Sequence, residues 1–252
     1  MVVNPLLLIA GAGVMAGMMN ALAGGGSFVS LPALIAVGVP SVTANTTSTV
    51  ALFPGQLTSA WTYRDGLGPV GAVSLRSLLL ATFFGGVIGA LLLLRTPIRA
   101  FDLILPWLLA IATLTLAFGR QLGEVWRRRW HISAPLVVVA QFGLGIYGGY
   151  FGGGVGLMMM AVWSLLGDRT LKSFNAPRTL MVCAANTVAV FIFIAANAVR
   201  WREALVMLVG AILGGYGGAH IGRRAPAGVI RVGTLLLSVG ITLVFFARAY
   251  LR

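Results

Sequence analysis

Apolar residues fill this chain in long windows, cut at short intervals by glycine, proline or arginine. The windows at 6–23, 44–62, 69–94 and 99–118, and again at 134–150, 175–197, 203–222 and 228–248, predict membrane-crossing helices, since a span takes about 20 apolar residues. Two shorter apolar segments, 27–37 and 155–166, are too short to cross. Each follows a glycine triplet, Gly24 to Gly26 or Gly152 to Gly154. Glycine inside a helix costs about 1 kcal/mol relative to alanine. In hydrocarbon a broken helix also leaves N–H and C=O groups without partners, so the breaks are expected to have a use.

Composition agrees with a membrane protein. Of 252 residues 59% are hydrophobic and 9% charged, and the mean hydropathy is +0.97. Those proportions leave too few charges for the exterior of a soluble domain, and the length allows about eight spans. The expected fold is therefore an all-α polytopic membrane protein in one membrane domain, 1–252. The opening "MVVNPLLLIAGAG" has no basic n-region and no A-x-A-like cleavage site, so it reads as a first retained span. The net charge of +13 is concentrated in connectors such as 119–131 and 222–231. That is the placement of cytoplasmic loops facing anionic lipid, not of a nucleic-acid surface. Cys183 lies in an apolar run and reads as a small core residue. No His, Cys, Asp and Glu cluster has metal-ligand spacing, and no cofactor is called for.

The chain also repeats itself. "ALAGGGSFVSLPALIAVGVP" at 21–40 has a counterpart in "GYFGGGVGLMMMAVWSLLGD" at 149–168, and "FGGVIGALLLLRTP" at 84–97 in "LGGYGGAHIGRRAP" at 213–226. Both matches share an offset close to 129. Residues 1–133 and 134–252 thus read as two halves of a duplicated design, joined by the arginine-rich linker. If each short segment returns to its starting side, the halves are inverted repeats. One face then carries Arg64, Arg120, Arg127, Arg128, Arg129, Arg169, Lys172, Arg178, Arg223, Arg224 and Arg231, eleven cations against six on the other. The richer side, with connector 119–131, is expected in the cytoplasm.

With these residues in view the chain resembles the TauE/SafE family of sulfite exporters and sulfonate permeases. The likeness is carried by "GVMAGMMNALAGGGSFVSLPALIAVGVPSVTANTTST" at 13–49 and by "GIYGGYFGGGVGLMMM" followed by "FNAPRTL" at 174–180. It implies a duplicated helical carrier in the bacterial plasma (inner) membrane, moving sulfite, sulfonates or related sulfur-containing or carboxylated anions.

The residues themselves suggest how an anion would be held. Helices restarting near Ser27 and after Gly154 would present free amides and the positive end of a macrodipole, which favour negative charge by a few tenths to about 2 kcal/mol. The candidate substrate-binding set is Gly24, Gly25, Gly26, Ser27, Gly152, Gly153 and Gly154, with Asn45, Thr46, Thr47 and Ser48 of "TANTTST" as hydroxyl and amide donors. Ser173, Asn175 and Arg178 are the positional counterparts, and Arg178 offers a fixed charge. The blander readings are close helix packing by small residues, N-capping by Ser, Thr and Asn, and a surface anchor for Arg178. Arg76 is expected to snorkel to the headgroups. Asn20, Gln56, Gln141 and Asn186 read as interhelical hydrogen-bonding amides, and Trp107, Trp126, Trp163, Trp201 and Tyr250 as an interfacial belt. His220 is the titratable residue within a span that could couple protons, and the coupling ion, proton or sodium, stays open. So does the oligomeric state. An anion channel would share the selectivity logic without a conformational cycle. An intramembrane hydrolase would need Ser27 and His220 brought together, and there is no G-x-S-G.

Overall fold

The computed structural model describes residues 4–23, 25–129, 133–163, 174–224 and 227–251. Ten α-helices lie among them: α1 Pro5–Ala23, α2 Ser27–Ala36, α3 Ser41–Thr62, α4 Leu75–Arg95, α5 Ile98–Arg129, α6 Ala134–Tyr150, α7 Val155–Trp163, α8 Asn175–Ala195, α9 Trp201–Arg224 and α10 Ala227–Tyr250. Both expected breaks are present, since α1 stops before Gly25 and α6 before Gly152. Three boundaries differ from expectation. The helix expected from residue 69 begins at Leu75, because Val70 and Val73 bond each other's main chain across a tight turn and Ser74 caps the amide of Ser77. The arginine-rich connector is helical as far as Arg129, as a continuation of α5. And α3 begins at Ser41, so Asn45 to Ser48 sit inside the helix and not at its cap.

Among the described residues five segments are long and apolar enough to cross a bilayer: Pro5–Leu22, Leu75–Arg95, Ile98–Gly119, Asn175–Ala195 and Val232–Tyr250. That is fewer than the expected eight. At 17 residues α6 is short, and α3 is diluted by its threonines and serines. The protein is a multi-pass helical membrane protein. Its outward side chains agree: Leu80, Phe84, Leu213, Tyr216, Leu236 and Leu243 are all more than half exposed, as suits a surface solvated by lipid chains.

Two pairs of helices pack with almost no side chain between them. In α1 against α9, a Cβ on Gly13 would lie 2.4 Å from the Met207 carbonyl oxygen, one on Gly17 2.0 Å from that of Ala211, and one on Gly214 1.8 Å from that of Val14. The register rises together on both helices, so they run parallel. In α4 against α6, Gly85, Gly89 and Gly149 meet the main chain of Phe142, Ile146 and Gly86 in the same way, again in parallel. Such seams gain close van der Waals contact where lipid removes the hydrophobic drive to associate.

Two other pairs run antiparallel. Between α5 and α10 the Thr113 and Thr242 hydroxyls bond at 3.1 Å, while Tyr250 Oη donates to the Leu103 carbonyl at 3.0 Å and accepts from Trp107 Nε1 at 2.9 Å. Between α3 and α8, Asn186 bonds Gln56, and Gly66 in the turn after α3 abuts Ala176 near the start of α8. Apolar residues from both ends of the chain, among them Ile9, Phe28, Phe101, Phe151, Phe193 and Phe245, form one core cluster.

Trp107, Trp201 and Tyr250 are exposed, as belt residues would be, the side chain of Trp126 lies outside the described residues, and Trp163 departs from the belt reading because it is fully buried. Trp163 packs edge-on against Phe174 and its indole N–H donates to Gln141 Oε1 at 3.0 Å. Gln141 Nε2 in turn donates to Thr82 Oγ1 at 2.7 Å, so one buried polar chain ties α7, α6 and α4. Trp163→Phe should leave Gln141 Oε1 buried and unpaired and lower stability by about 1–3 kcal/mol, read as a fall in thermal unfolding temperature in detergent. An unchanged midpoint would show that the chain contributes nothing.

Candidate functional site

The two glycine breaks are built differently. At the first, Gly26 keeps a helical backbone (φ −57°) and serves as the N-cap of α2. Its amide donates to Asn20 Oδ1 at 2.8 Å, and a Cβ there would strike the Ala16 carbonyl at 2.6 Å. A Cβ on Gly25 would make only ordinary contacts. Gly24 lies outside the described residues. Ser27 opens α2, with the Phe28, Val29 and Ser30 amides already bonded to Gly25 or Gly26 carbonyls. This break therefore spends much of its donor capacity inside the protein.

At the second, Gly152 (φ +77°) and Gly154 (φ +74°) take left-handed conformations that only glycine adopts freely. Tyr147 Oη sits 3.0 Å from the Gly153 carbonyl oxygen and 3.1 Å from that of Leu108, pinning the turn to α5. A tyrosine five residues before a glycine triplet is the sequence signal for this tether. The Leu157 and Met158 amides bond the Gly154 carbonyl. No main-chain bond is made by the Val155 or Gly156 amide among the described residues, so the first turn of α7 keeps its donors.

Arg178 crosses to that turn from α8. Its Cδ and Cγ lie 3.3 and 3.4 Å from where a Cβ on Gly156 would be, and Nη1 donates to Met160 Sδ at 3.4 Å. The side chain is half-buried. Among the described residues the ion pair recorded is Arg64 with Asp65, so no carboxylate lies within 4 Å of Arg178. A thioether is a weak acceptor, so among the described residues the guanidinium charge has no carboxylate countercharge. Asn175 starts the same helix, half-buried, and its carbonyl accepts from Thr179 Oγ1 at 2.8 Å. Ser173 lies outside the described residues.

The "TANTTST" cluster is buried, but its polar groups are engaged. Asn45 Nδ2 donates to the Tyr150 carbonyl at the end of α6 at 3.0 Å. Thr46 Oγ1 donates to the Thr43 and Ala198 carbonyls, and Thr47 Oγ1 accepts from the Arg200 amide at 3.0 Å. Ser48 Oγ lies 2.6 Å from Ser30 Oγ. These residues lock α3 to α2, to the end of α6 and to the α8–α9 turn. Only Asn45 brings the first-half cluster to the second break.

His220 is exposed on α9, with Nδ1 3.2 Å from the Tyr216 carbonyl and its ring 4.7 Å from the Tyr216 ring. It is not packed inside the bundle. Arg76 is exposed, as a snorkelling residue would be. A pocket of about 280 Å³, lined by Ile35, Arg99, Asp102, Leu103, Phe245, Arg248 and Ala249, opens at the end of α2 remote from Gly26 and includes neither triplet.

A bundle of apolar helices interrupted at two glycine breaks, with a half-buried arginine beside one of them, fits a membrane transporter. Residues 9–245 match the family described as Sulfite exporter TauE/SafE, and the chain belongs to that family. It is 30% identical to a probable membrane transporter protein of Haemophilus influenzae over 91% of this chain and 90% of that one. It is 29% identical to the probable membrane transporter protein YfcA of Escherichia coli K12, over 87% and 82%. With the probable membrane transporter protein ORF9 of a Sinorhizobium species the identity is 27%, over 90% and 87%. No solved structure matches.

Proposed function

We propose that this transporter carries small anions, sulfite, organosulfonates or related sulfur and carboxylate anions, across the bacterial inner membrane by alternating access. The observation that carries the reading is Arg178. A half-buried guanidinium whose acceptor among the described residues is a thioether, lying against the first turn of a helix whose leading amides make no main-chain bond there, asks for an anion. Charge, free N–H groups and the α7 dipole all favour the same sign of ligand. Sulfonate and carboxylate groups can take the fork of the guanidinium on two oxygens and an α7 amide on a third or on a shared one. Gly152 and Gly154 hold the turn that exposes those amides, and Asn175 opens the helix that carries Arg178. Gly26 and the Asn45 to Ser48 cluster serve the frame more than the ligand, because their polar groups are bonded within the protein.

Support for alternating access comes from the pairing of the two halves, 1–133 and 134–252. The seam of α1 with α9 repeats that of α6 with α4, and the glycines match: Gly85 and Gly89 in one correspond to Gly214 and Gly218 in the other, 129 positions on. Thr113 and Thr242, also 129 apart, bond each other across antiparallel helices. Equivalent helices meeting antiparallel is what inverted repeats produce, and rocking one repeat against the other exposes a central site to each side in turn. On this reading the connector 119–131 faces the cytoplasm, as its arginines favour.

Purified protein in proteoliposomes should take up sulfite or a short alkylsulfonate saturably, and unlabelled anion inside should accelerate uptake. Linear, non-saturating flux without that acceleration would indicate a channel. No flux of any sulfur or carboxylate anion would remove the proposal.

A further inference from the structure

One buried polar atom near the second break is left over. Asn186 is 3% exposed and its Nδ2 donates to Gln56 Oε1 at 2.5 Å, while its Oδ1 has no partner. Leaving a buried carbonyl-type oxygen unpaired costs about 1–3 kcal/mol, so the vacancy is not neutral. The oxygen is aimed at the end of α6: a Cβ on Gly152 would sit 3.4 Å from Asn186 Oδ1 and 3.4 Å from the Gly148 carbonyl oxygen. Two oxygens therefore flank one point that residue 152 leaves empty because it is glycine. Among the described residues no main-chain amide donates to the Gly148 or Gly149 carbonyl, since Gly152 N turns back to Tyr147. These are the last carbonyls of α6, at the negative end of its dipole.

An oxygen-only lining at a helix C-terminus repels the anion proposed above. Sulfite and sulfonates bring acceptors, and acceptors facing acceptors gain nothing. A small hard cation satisfies every group present, and carbonyls at the ends of interrupted membrane helices are suited to sodium. We propose that the carboxyl end of α6 binds a sodium ion through Asn186 Oδ1 and the Gly148 carbonyl, with Gln56 holding the Asn186 amide in that orientation. The cation would then sit on one side of the Gly152–Gly154 turn and the anion on the other, where α7 begins. One break would join the two binding events, which is the requirement for coupling. The site adds an ion to the transport reading and is tested without the anion, so either proposal can fail alone.

The test is thermal unfolding of the purified protein in chloride salts at fixed ionic strength, with no sulfur or carboxylate anion present. Sodium should raise the midpoint saturably over potassium or choline, by about 3 °C at saturation, because a ligand of the folded state stabilises it by mass action. Asn186→Leu should abolish the sodium-specific shift. Asn186→Asp, which keeps an oxygen at the position, should retain it, so a fold defect in the leucine variant does not decide the outcome. An Asn186 amide reversed end for end would donate to the Gly148 carbonyl and need no ion. No sodium-specific shift in the wild type is that result, and it overturns the proposal. A shift with methylammonium but not sodium overturns it too, by assigning the oxygens to an ammonium group of the substrate.

Discussion

Arg178→Ala should cut anion flux about 30-fold or more at subsaturating anion while leaving the protein folded. The two halves of that expectation have separate grounds. Removing one member of a desolvated, hydrogen-bonded charge pair costs about 2–5 kcal/mol, and 2 kcal/mol is already about 30-fold. The pair in question forms with the anion bound, because among the described residues the resting partner of Arg178 is the Met160 thioether. Folding should survive for the same reason. Among the described residues no carboxylate within 4 Å is orphaned by the change, and relief of the cost of burying the guanidinium offsets the lost packing of its stem on Gly156. Arg178→Lys keeps the charge but not the planar fork, and should fall between wild type and alanine. Arg76→Ala removes an exposed arginine and serves as the control, with flux within about twofold of wild type. Flux is measured in proteoliposomes at matched protein incorporation. Should Arg178→Ala transport like Arg76→Ala, the anion is held elsewhere.

Much of the architecture was legible from the order of residues because membrane helices are dictated by local composition. The apolar windows located the helices, and the glycine triplets located both breaks, since nothing else in hydrocarbon tolerates three glycines in a row. What failed depended on neighbours distant in sequence. Trp163 looks like any tryptophan near the end of an apolar run, and only the arrival of Gln141 and Phe174 makes it core. The start of α4 was missed because the Val70–Val73 turn is built from valines that read as span. The polar cluster at 45–48 was read as spare donors, yet the acceptors that occupy it come from α2, α6 and the turn after α8. The candidate site shows the same division. Position 178 could be singled out as a charge near a span, but its packing on Gly156 and Met160 is a property of the folded neighbourhood. The orphaned oxygen of Asn186 is less legible still. An asparagine in a span predicts an interhelical hydrogen bond, and its Nδ2 makes one. That the other end of the same amide goes unpaired follows only from the path of α6.

The largest effect on folding is expected at the glycine seams. A Cβ on Gly214 would lie 1.8 Å from the Val14 carbonyl oxygen, and one on Gly89 2.0 Å from that of Ile146. Both obstacles are helical main chain, which cannot swing aside as a side-chain tip would. A valine at either position must push two helices apart over their whole contact, forfeiting the dispersion that holds the pair together in lipid. Gly214→Val and Gly89→Val should each cost about 3 kcal/mol or more, at the upper end of overpacking, seen as loss of monodisperse protein or a sharply lowered unfolding midpoint. Gly217 is three positions along the same helix as Gly214, and a Cβ there would meet nothing within 4 Å. Gly217→Ala should therefore leave the midpoint unchanged or raise it, because alanine is the better helix former. The comparison also tests the duplication. If α1 with α9 and α4 with α6 are one contact made twice, Gly85→Val, at the position that matches Gly214 and with its Cβ 2.4 Å from the Phe142 carbonyl oxygen, should be destabilised to a degree comparable with Gly214→Val. A large penalty at Gly214 with none at Gly85 would mean that the halves carry unequal loads, and the rigid-body rocking of one repeat against the other would lose its structural basis.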